Sequence, residues 1–446
     1  MSQMALTKKL IVILLWGIFS YLLSQLILDV EITQKGFFIL LVCAGLWMTE
    51  IIPLPVTALL VPVIAYFMGI LTPKEAMAPF SSTIIFLFMG GFTLAALLNK
   101  HGIDRWLADK VTSISKGRLW VSIVGFFAVT SFLSMWMSNT ATTAMMIPIA
   151  IALVNKEYPR MRTMIILGTA YSANIGGNGT AVGSPPNGIA VSALDIDFFT
   201  WFKIGFPTAL VMFPLVILAL WFVIRPEKDA KVNRLSDHNS MKWTPEAKGT
   251  IALFLFTVIC WIFSSPIGSI LGLKNFDRMI AILITALAPA FRLISWKHLE
   301  DKIGWGILLL FGGGLCLSVV LGETGTSLWL ATVLINLFST PWIIILACIA
   351  LMVFLTELSS NTGSAAILIP VMIALSTQFD SAMTYALVFG VGLAANCAFM
   401  LPVATPPNAL VYGTGYIGQK DMIKTGMILN IFSIIVVYSM VTLLTQ

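Results

Sequence analysis

The sequence predicts an all-α polytopic membrane protein: eleven transmembrane helices and two re-entrant hairpins, arranged as two repeats of inverted topology. Three observations predict it. The 446-residue chain is 58% hydrophobic and only 10% charged, with a mean hydropathy of +0.95, whereas a soluble domain carries about 25% charged residues. Ser138-Asn139-Thr140 recurs 222 residues later as Ser360-Asn361-Thr362, and Val182-Gly183-Ser184-Pro185-Pro186-Asn187 recurs 221 residues later as Val403-Ala404-Thr405-Pro406-Pro407-Asn408. Gly90-Gly91 and Gly312-Gly313 are again 222 apart, and such self-similarity at one spacing is the mark of an internal duplication. Finally, the basic residues fall unevenly between the loops that these segments define.

Residues 1–35 hold helix 1, at about 9–28. Its apolar stretch is too long for a signal peptide and has no small-residue cleavage site. Repeat 1 covers 36–224. Its helices 2 and 3 (36–51 and 54–71) are split by Glu50 and the Pro53/Pro55 pair, and helix 4 follows at 81–99. Residues 103–116 alternate Ile103, Trp106, Leu107 and Val111 with Asp104, Arg105, Asp109 and Lys110, the pattern of an amphipathic helix in the membrane interface.

The run 118–155 is long enough to cross twice, yet Ser134 to Thr143 at its centre is rich in hydroxyls and carries an amide. Facing lipid, that cluster would cost several kcal/mol, so the run is predicted to be a re-entrant hairpin with a polar tip at mid-depth. Helix 5 begins near 161 and must unwind from Gly176 to Pro186, because glycine permits positive φ and Pro-Pro removes two donors. Helix 6 occupies 204–224. A linker at 225–248 is basic and aqueous. Repeat 2, 249–446, then restates the order: helices at 249–271, 278–292 and 304–322, an interfacial piece near 324–334, a hairpin at 341–377, a broken helix at 383–417 and a last helix at 423–444.

With the amino terminus inside, the inner loops hold 21 of the 26 Lys and Arg residues. The outer loops hold Lys35, Lys74, Lys203, Lys274 and Arg278. That bias satisfies the positive-inside rule and predicts an outside carboxyl terminus in a cytoplasmic membrane. Each repeat has five spans, so the second enters from the opposite side. The first hairpin opens inward and the second outward.

Inverted repeats with broken helices are the pattern of secondary transporters. Tips and breaks are expected to meet near the midplane. There, half-helices starting after each break would aim free N–H groups and a positive dipole end at an anion. No Lys or Arg lies at a tip or break, so Asn amides, Ser/Thr hydroxyls and backbone donors would recognise it. Exposed oxygens at the same bends suit Na⁺, whose charge would offset a dianion. The basic residues sit in loops between apolar segments and do not point to nucleic acid. Cys43, Cys260, Cys316, Cys348 and Cys397 lie in apolar runs, and His101, His238 and His298 are isolated loop residues, so no metal pattern emerges. An intramembrane hydrolase would need a nucleophile–base pair, and the spans hold no histidine. A channel would repeat its filter around a subunit axis, not within one subunit. Glu357, four residues before Asn361, stays open between a proton or cation ligand and a structural acid. Asn174, Asn178 and Asn396 are read as interhelical glue, and Trp16, Trp120, Trp201, Trp243, Trp305 and Trp342 as interfacial anchors.

At the duplicated Ser-Asn-Thr tips and Pro-Pro breaks the chain resembles the divalent anion:sodium symporter family, along essentially its whole length, and within it the bacterial sodium-coupled dicarboxylate transporters. The resemblance implies symport of succinate, malate or fumarate with several Na⁺ by a homodimer whose transport domain moves as an elevator. It implies substrate contacts at Asn139, Thr140, Ser184, Ser360, Asn361, Thr362, Thr405 and Pro406. It also implies one sodium among Ser134, Ser138, Asn139 and Gly183, and a second among Thr356, Ser359, Asn361 and Ala404. A sodium-independent exchanger and a tricarboxylate or sulfate carrier of the same fold remain alternatives.

Overall fold

The computed structural model describes residues 6–114, 118–155, 157–227, 229–230, 243–337, 340–376 and 379–444. Most of the predicted basic linker, 231–242, lies outside the described residues. The first half contains α1 (Leu6–Ile27), α2 (Glu31–Thr49), α3 (Leu54–Phe67), α4 (Pro73–Met77), α5 (Thr83–Lys100), α6 (Ile103–Ile114), α7 (Leu119–Ser134), α8 (Asn139–Leu153), α9 (Pro159–Gly177), α10 (Pro185–Leu194) and α11 (Phe198–Ile224). The second contains α12 (Pro245–Ile262), α13 (Ser264–Leu271), α14 (Phe276–Ala290), α15 (Trp296–Lys302), α16 (Trp305–Glu323), α17 (Thr326–Leu337), α18 (Pro341–Leu358), α19 (Asn361–Ser376), α20 (Ser381–Ala394), α21 (Pro406–Gly413) and α22 (Gln419–Leu444).

Among the described residues eight helices are long and apolar enough to cross a membrane: α1, α2, α4–α5 taken together, α11, α12, α16, α18 and α22. The eight include α18, predicted as a hairpin arm, and two of the predicted unbroken spans are shorter. At 14 and 15 residues, α3 and α14 are only about 21–23 Å long, less than a hydrocarbon core of about 30 Å. Each is held by a longer partner, α14 against α5 and α3 against α16. These paired contacts require one glycine of each Gly-Gly pair. A Cβ on Gly90 would sit 2.6 Å from the Ala281 Cβ, and one on Gly313 would sit 2.5 Å from the Ala58 Cβ, so only glycine lets these backbones approach so closely.

The two hairpins form as α7–α8 and α18–α19, and both predicted helix breaks are present, at 178–184 and 395–405. The helices leading into the breaks are the most buried. Every residue of α9 from Met164 to Gly177 is buried although the helix carries asparagine, serine and threonine. Thr169 and the Asn174 amide nitrogen find partners inside the protein, whereas Ser172 Oγ and Asn174 Oδ1 have none among the described residues. The packing around α9 is mirrored around α20. Helix α9 contacts α7, α8, α11 and α21, while α20 contacts α18, α19, α22 and α10. Each long broken helix thus touches its own hairpin and the short half-helix of the other copy.

Two details differ from the sequence reading. Trp201 is no interfacial anchor: it is fully buried, and its indole Nε1 donates to the Asn178 carbonyl at 3.0 Å. Its ring stacks on Phe389 of α20. The second break also starts earlier than the duplication implies. Helix α9 ends at Gly177, whose counterpart is Ala398, yet α20 ends at Ala394. The five cysteines are buried and unpaired by disulfides, as their apolar settings imply.

Candidate functional site

At the first tip, Ser138 caps α8, its Oγ accepting from the Ala141 N–H at 3.2 Å. At the second, Ser360 Oγ accepts from the Gly363 N–H at 3.2 Å. The residue five before each asparagine binds it: Ser134 Oγ donates to Asn139 Oδ1 and Thr356 Oγ1 donates to Asn361 Oδ1, both at 2.7 Å. With those caps in place, the N–H groups of Asn139, Thr140, Asn361 and Thr362 have no partner among the described residues. They are the first two donors of α8 and of α19, at the positive end of each helix.

This corrects the expected source of free donors. The half-helices α10 and α21 begin with Pro185-Pro186 and Pro406-Pro407, which have no N–H. Their third residues are already engaged, Asn187 N with the Ser184 carbonyl at 3.1 Å and Asn408 N with Thr405 Oγ1 at 3.1 Å. The first donors of these half-helices are therefore absent or engaged, and the unpartnered N–H groups of Asn139, Thr140, Asn361 and Thr362 belong to the hairpin arms.

The breaks themselves are held by asparagines. Asn187 Nδ2 donates to the carbonyls of Gly177 and Thr180 at 2.7 and 2.8 Å, and Asn408 Nδ2 donates to those of Ala398 and Leu401, both at 3.1 Å. All three residues of the second set lie 221 after their counterparts, so each break is closed by the same device. The repeats then exchange amides. Asn396, at the end of α20, donates to Asn178 Oδ1 and Asn187 Oδ1 at 2.7 and 2.8 Å and accepts from Ser184 Oγ. Asn174, on α9, donates to Thr405 Oγ1 and Asn408 Oδ1 at 3.3 Å. The reading of Asn174, Asn178 and Asn396 as interhelical glue holds, each bonding to the other repeat, and Asn174 and Asn396 are 222 apart, the same offset as the Ser-Asn-Thr motifs.

The tips lie against these breaks. A Cβ on Gly177 would meet Asn139 Oδ1 at 2.4 Å, and Thr356 Oγ1 also lies 2.9 Å from the Ala395 carbonyl. Helix α8 packs on α21 and α19 on α10, so each hairpin arm meets the half-helix of the other repeat. A cavity of about 440 Å³ reaches the first tip at Ser138 and Ala141 and is lined on its far side by Asn99 and Lys302.

Of the residues expected to touch substrate, Asn139, Thr140, Ser360, Asn361 and Thr362 are partly accessible, whereas Ser184 and Thr405 are buried and hydrogen-bonded to the opposite repeat. Among the expected cation ligands, Ser359 Oγ is buried without a partner. So are Thr142 Oγ1 and Ser364 Oγ, which occupy equivalent positions one turn beyond the tips. Buried hydroxyls normally find an acceptor, and these three have none among the described residues.

Glu357 resolves as an acceptor. Its Oε1 takes the N–H groups of Phe399 and Met400 at 2.6 and 2.9 Å and Asn430 Nδ2 at 2.9 Å, while Oε2 takes Leu401 N at 3.1 Å. The carboxylate fills the extra length of the second break. The counterpart of Glu357 in repeat 1 is Met135, where the break closes on its own carbonyls through Asn178 N to Ile175 O and Gly179 N to Gly176 O.

The sequence matches the citrate transporter family, CitMHS, over residues 44–390 and again over 279–445. It is 38% identical to an uncharacterised transporter of Haemophilus influenzae over 422 residues, covering 91% of each chain. It is 33% identical to the sodium-dependent dicarboxylate transporter SdcS of Staphylococcus saprophyticus over 478 residues, covering 95% of this chain and 89% of that one. Among solved structures the Alcanivorax borkumensis YdaH transporter shares the fold with a TM-score of 0.52 at 14% identity, covering 83% of this chain and 85% of that one. Hairpins, broken helices and relatives together define a multi-pass membrane transporter and not an enzyme. Within that class the chain belongs to the citrate transporter family.

Proposed function

We propose that the protein is a secondary active symporter carrying C4-dicarboxylates such as succinate, malate and fumarate together with Na⁺. The observation that carries this reading is the set of four N–H groups without a partner among the described residues, on Asn139, Thr140, Asn361 and Thr362, at two helix N-termini that each lie against a helix break. Two such ends suit a solute with an anionic group at each end. The side-chain amides of Asn139 and Asn361 and the hydroxyls of Thr140, Ser360 and Thr362 complete the binding surface. One Na⁺ would sit among Ser134, Ser138, Asn139 and the Gly183 backbone, the other among Thr356, Ser359, Asn361 and the Ala404 backbone. When a cation enters, the Ser134 and Thr356 hydroxyls turn their protons away and offer oxygen, and the two positive charges offset the dianion.

The SdcS relatives, sodium-dependent dicarboxylate transporters by name, support both the substrate class and the coupling ion. We place the amino terminus inside and the carboxyl terminus outside on the strength of the loop charges. On the same reading the repeats are inverted, and a homodimer carries the hairpins and broken helices as a moving elevator unit. Access from the basic face is supported by the cavity between Ser138 and Lys302.

A tricarboxylate is the second reading, favoured by the description of the family as citrate transporters. Purified protein in liposomes, given succinate, citrate, sulfate or glutamate with and without a sodium gradient, tests both. Saturable succinate uptake that collapses when choline replaces Na⁺ is the expected result. Citrate uptake without succinate uptake selects the second reading, and uptake undiminished in choline selects an exchanger.

A further inference from the structure

A cavity of about 940 Å³ lies where the start of α9, the end of α11 and the start of α22 meet, and hairpin residues take no part in its lining. Three cations from three different helix ends line it: Arg160, Arg225 and Lys424. None of them forms an ion pair among the described residues. Glu227 is close by, but its two oxygens accept from the backbone N–H groups of Arg160 and Met161 at 3.1 and 2.8 Å, so it caps α9. Asp421 is the one carboxylate in the lining, leaving a net positive cavity. Arg225 holds φ 51° as the C-cap of α11, a left-handed conformation that favours glycine. An arginine stands there at a conformational cost, and its side chain lines the cavity.

Apart from Thr163 the rest of the lining is apolar. Phe222 and Met427 border the cavity and are 62% and 39% exposed. Beyond them Leu218 on α11 and Ile431 and Ile435 on α22 continue the exposed apolar surface of two membrane-crossing helices. A free inorganic anion has no use for such a wall. An amphiphile with a negative head and hydrocarbon tails matches both halves, and basic pockets between transmembrane helices suit lipid headgroups.

We propose that this cavity binds the phosphate headgroup of an anionic phospholipid from the adjoining leaflet, with the acyl chains leaving past Phe222 and Met427 along α11 and α22. The site is separate from the transport site and stands whether or not the substrate is a dicarboxylate.

Delipidated protein in detergent, mixed with phosphatidylglycerol or phosphatidylcholine and read by native mass spectrometry, tests this. Phosphatidylglycerol is expected to be retained in preference. Each basic residue contributes about fivefold to the binding of an anionic lipid, so K424Q should weaken retention about fivefold and the triple variant R160Q/R225Q/K424Q on the order of a hundredfold. All three residues are exposed, and sodium-dependent uptake and gel-filtration profile report that the variants are folded; K424Q alone carries the test if the triple variant aggregates. Equal retention of the two lipids, or of phosphatidylglycerol by wild type and variants, overturns the proposal. So does inorganic phosphate that binds at these residues while phosphatidylglycerol does not.

Discussion

Asn396 Nδ2 lies 2.8 Å from Asn187 Oδ1, and the bond joins the end of one broken helix to the restart of the other, 209 residues earlier in the chain. The same side chain also serves Asn178 and Ser184. Asn396→Ala would leave these buried groups without partners, at about 1–3 kcal/mol for each unsatisfied group. The expected outcome is a large loss of unfolding free energy in denaturant titration. Asn174→Ala, whose bonds are longer at 3.3 Å, should cost less. An Asn396→Ala protein as stable as wild type would contradict the exchange.

Asn139→Ala and Asn361→Ala should each abolish sodium-dependent succinate uptake in liposomes while the protein elutes and melts as wild type does. Among the described residues these two amides bind only one hydroxyl each, so the fold depends on them little. Normal transport by both variants would remove them from the site.

Gly177→Ala tests the same contact from the other side. The new methyl would lie 2.4 Å from Asn139 Oδ1 and must push the amide off its position. Transport should fall by at least an order of magnitude, since small displacements of positioning groups cost about a hundredfold. Stability should change by about 1–3 kcal/mol, the usual cost of overpacking.

Glu357→Gln removes the charge and turns an N–H₂ group towards a cluster of N–H donors. Losing a charge-assisted acceptor for three backbone amides and Asn430 should lower unfolding free energy by on the order of 3 kcal/mol. Repeat 1 has no such carboxylate, so the companion Met135→Leu should leave stability within about 1.5 kcal/mol. Equal effects of the two substitutions would contradict the asymmetry of the breaks.

Thr142→Val and Ser364→Ala separate structure from ion binding. Removing a buried hydroxyl that has no partner is nearly neutral or stabilising for a fold. If these oxygens serve Na⁺, the sodium concentration needed for half-maximal uptake rises while the melting temperature holds. An unchanged sodium dependence would free both residues from that role.

Much of this was legible in the sequence because it rests on covalent chemistry that no packing can override. Pro185-Pro186 and Pro406-Pro407 cannot continue a helix, and polar tips cannot face lipid, so breaks and hairpins follow from composition and spacing. The partner of a buried amide is another matter. Nothing in the residues around Asn396 says that it faces Ser184 rather than a lipid-facing neighbour; only its offset from Asn174 hints at the pairing. Glu357 was ambiguous for the same reason, since its role depends on the second break unwinding four residues early. Trp201 differs because a position near a helix end does not say whether α20 or lipid covers the ring.

The crosswise amides have a consequence for assembly. A chain severed between α11 and α12 would yield two pieces, each with orphaned asparagines at the depth of its helix break. Neither fragment could settle alone in hydrocarbon without strong penalty. Co-expressed, they should find one another and restore uptake, much as two hands of a clasp need each other to close.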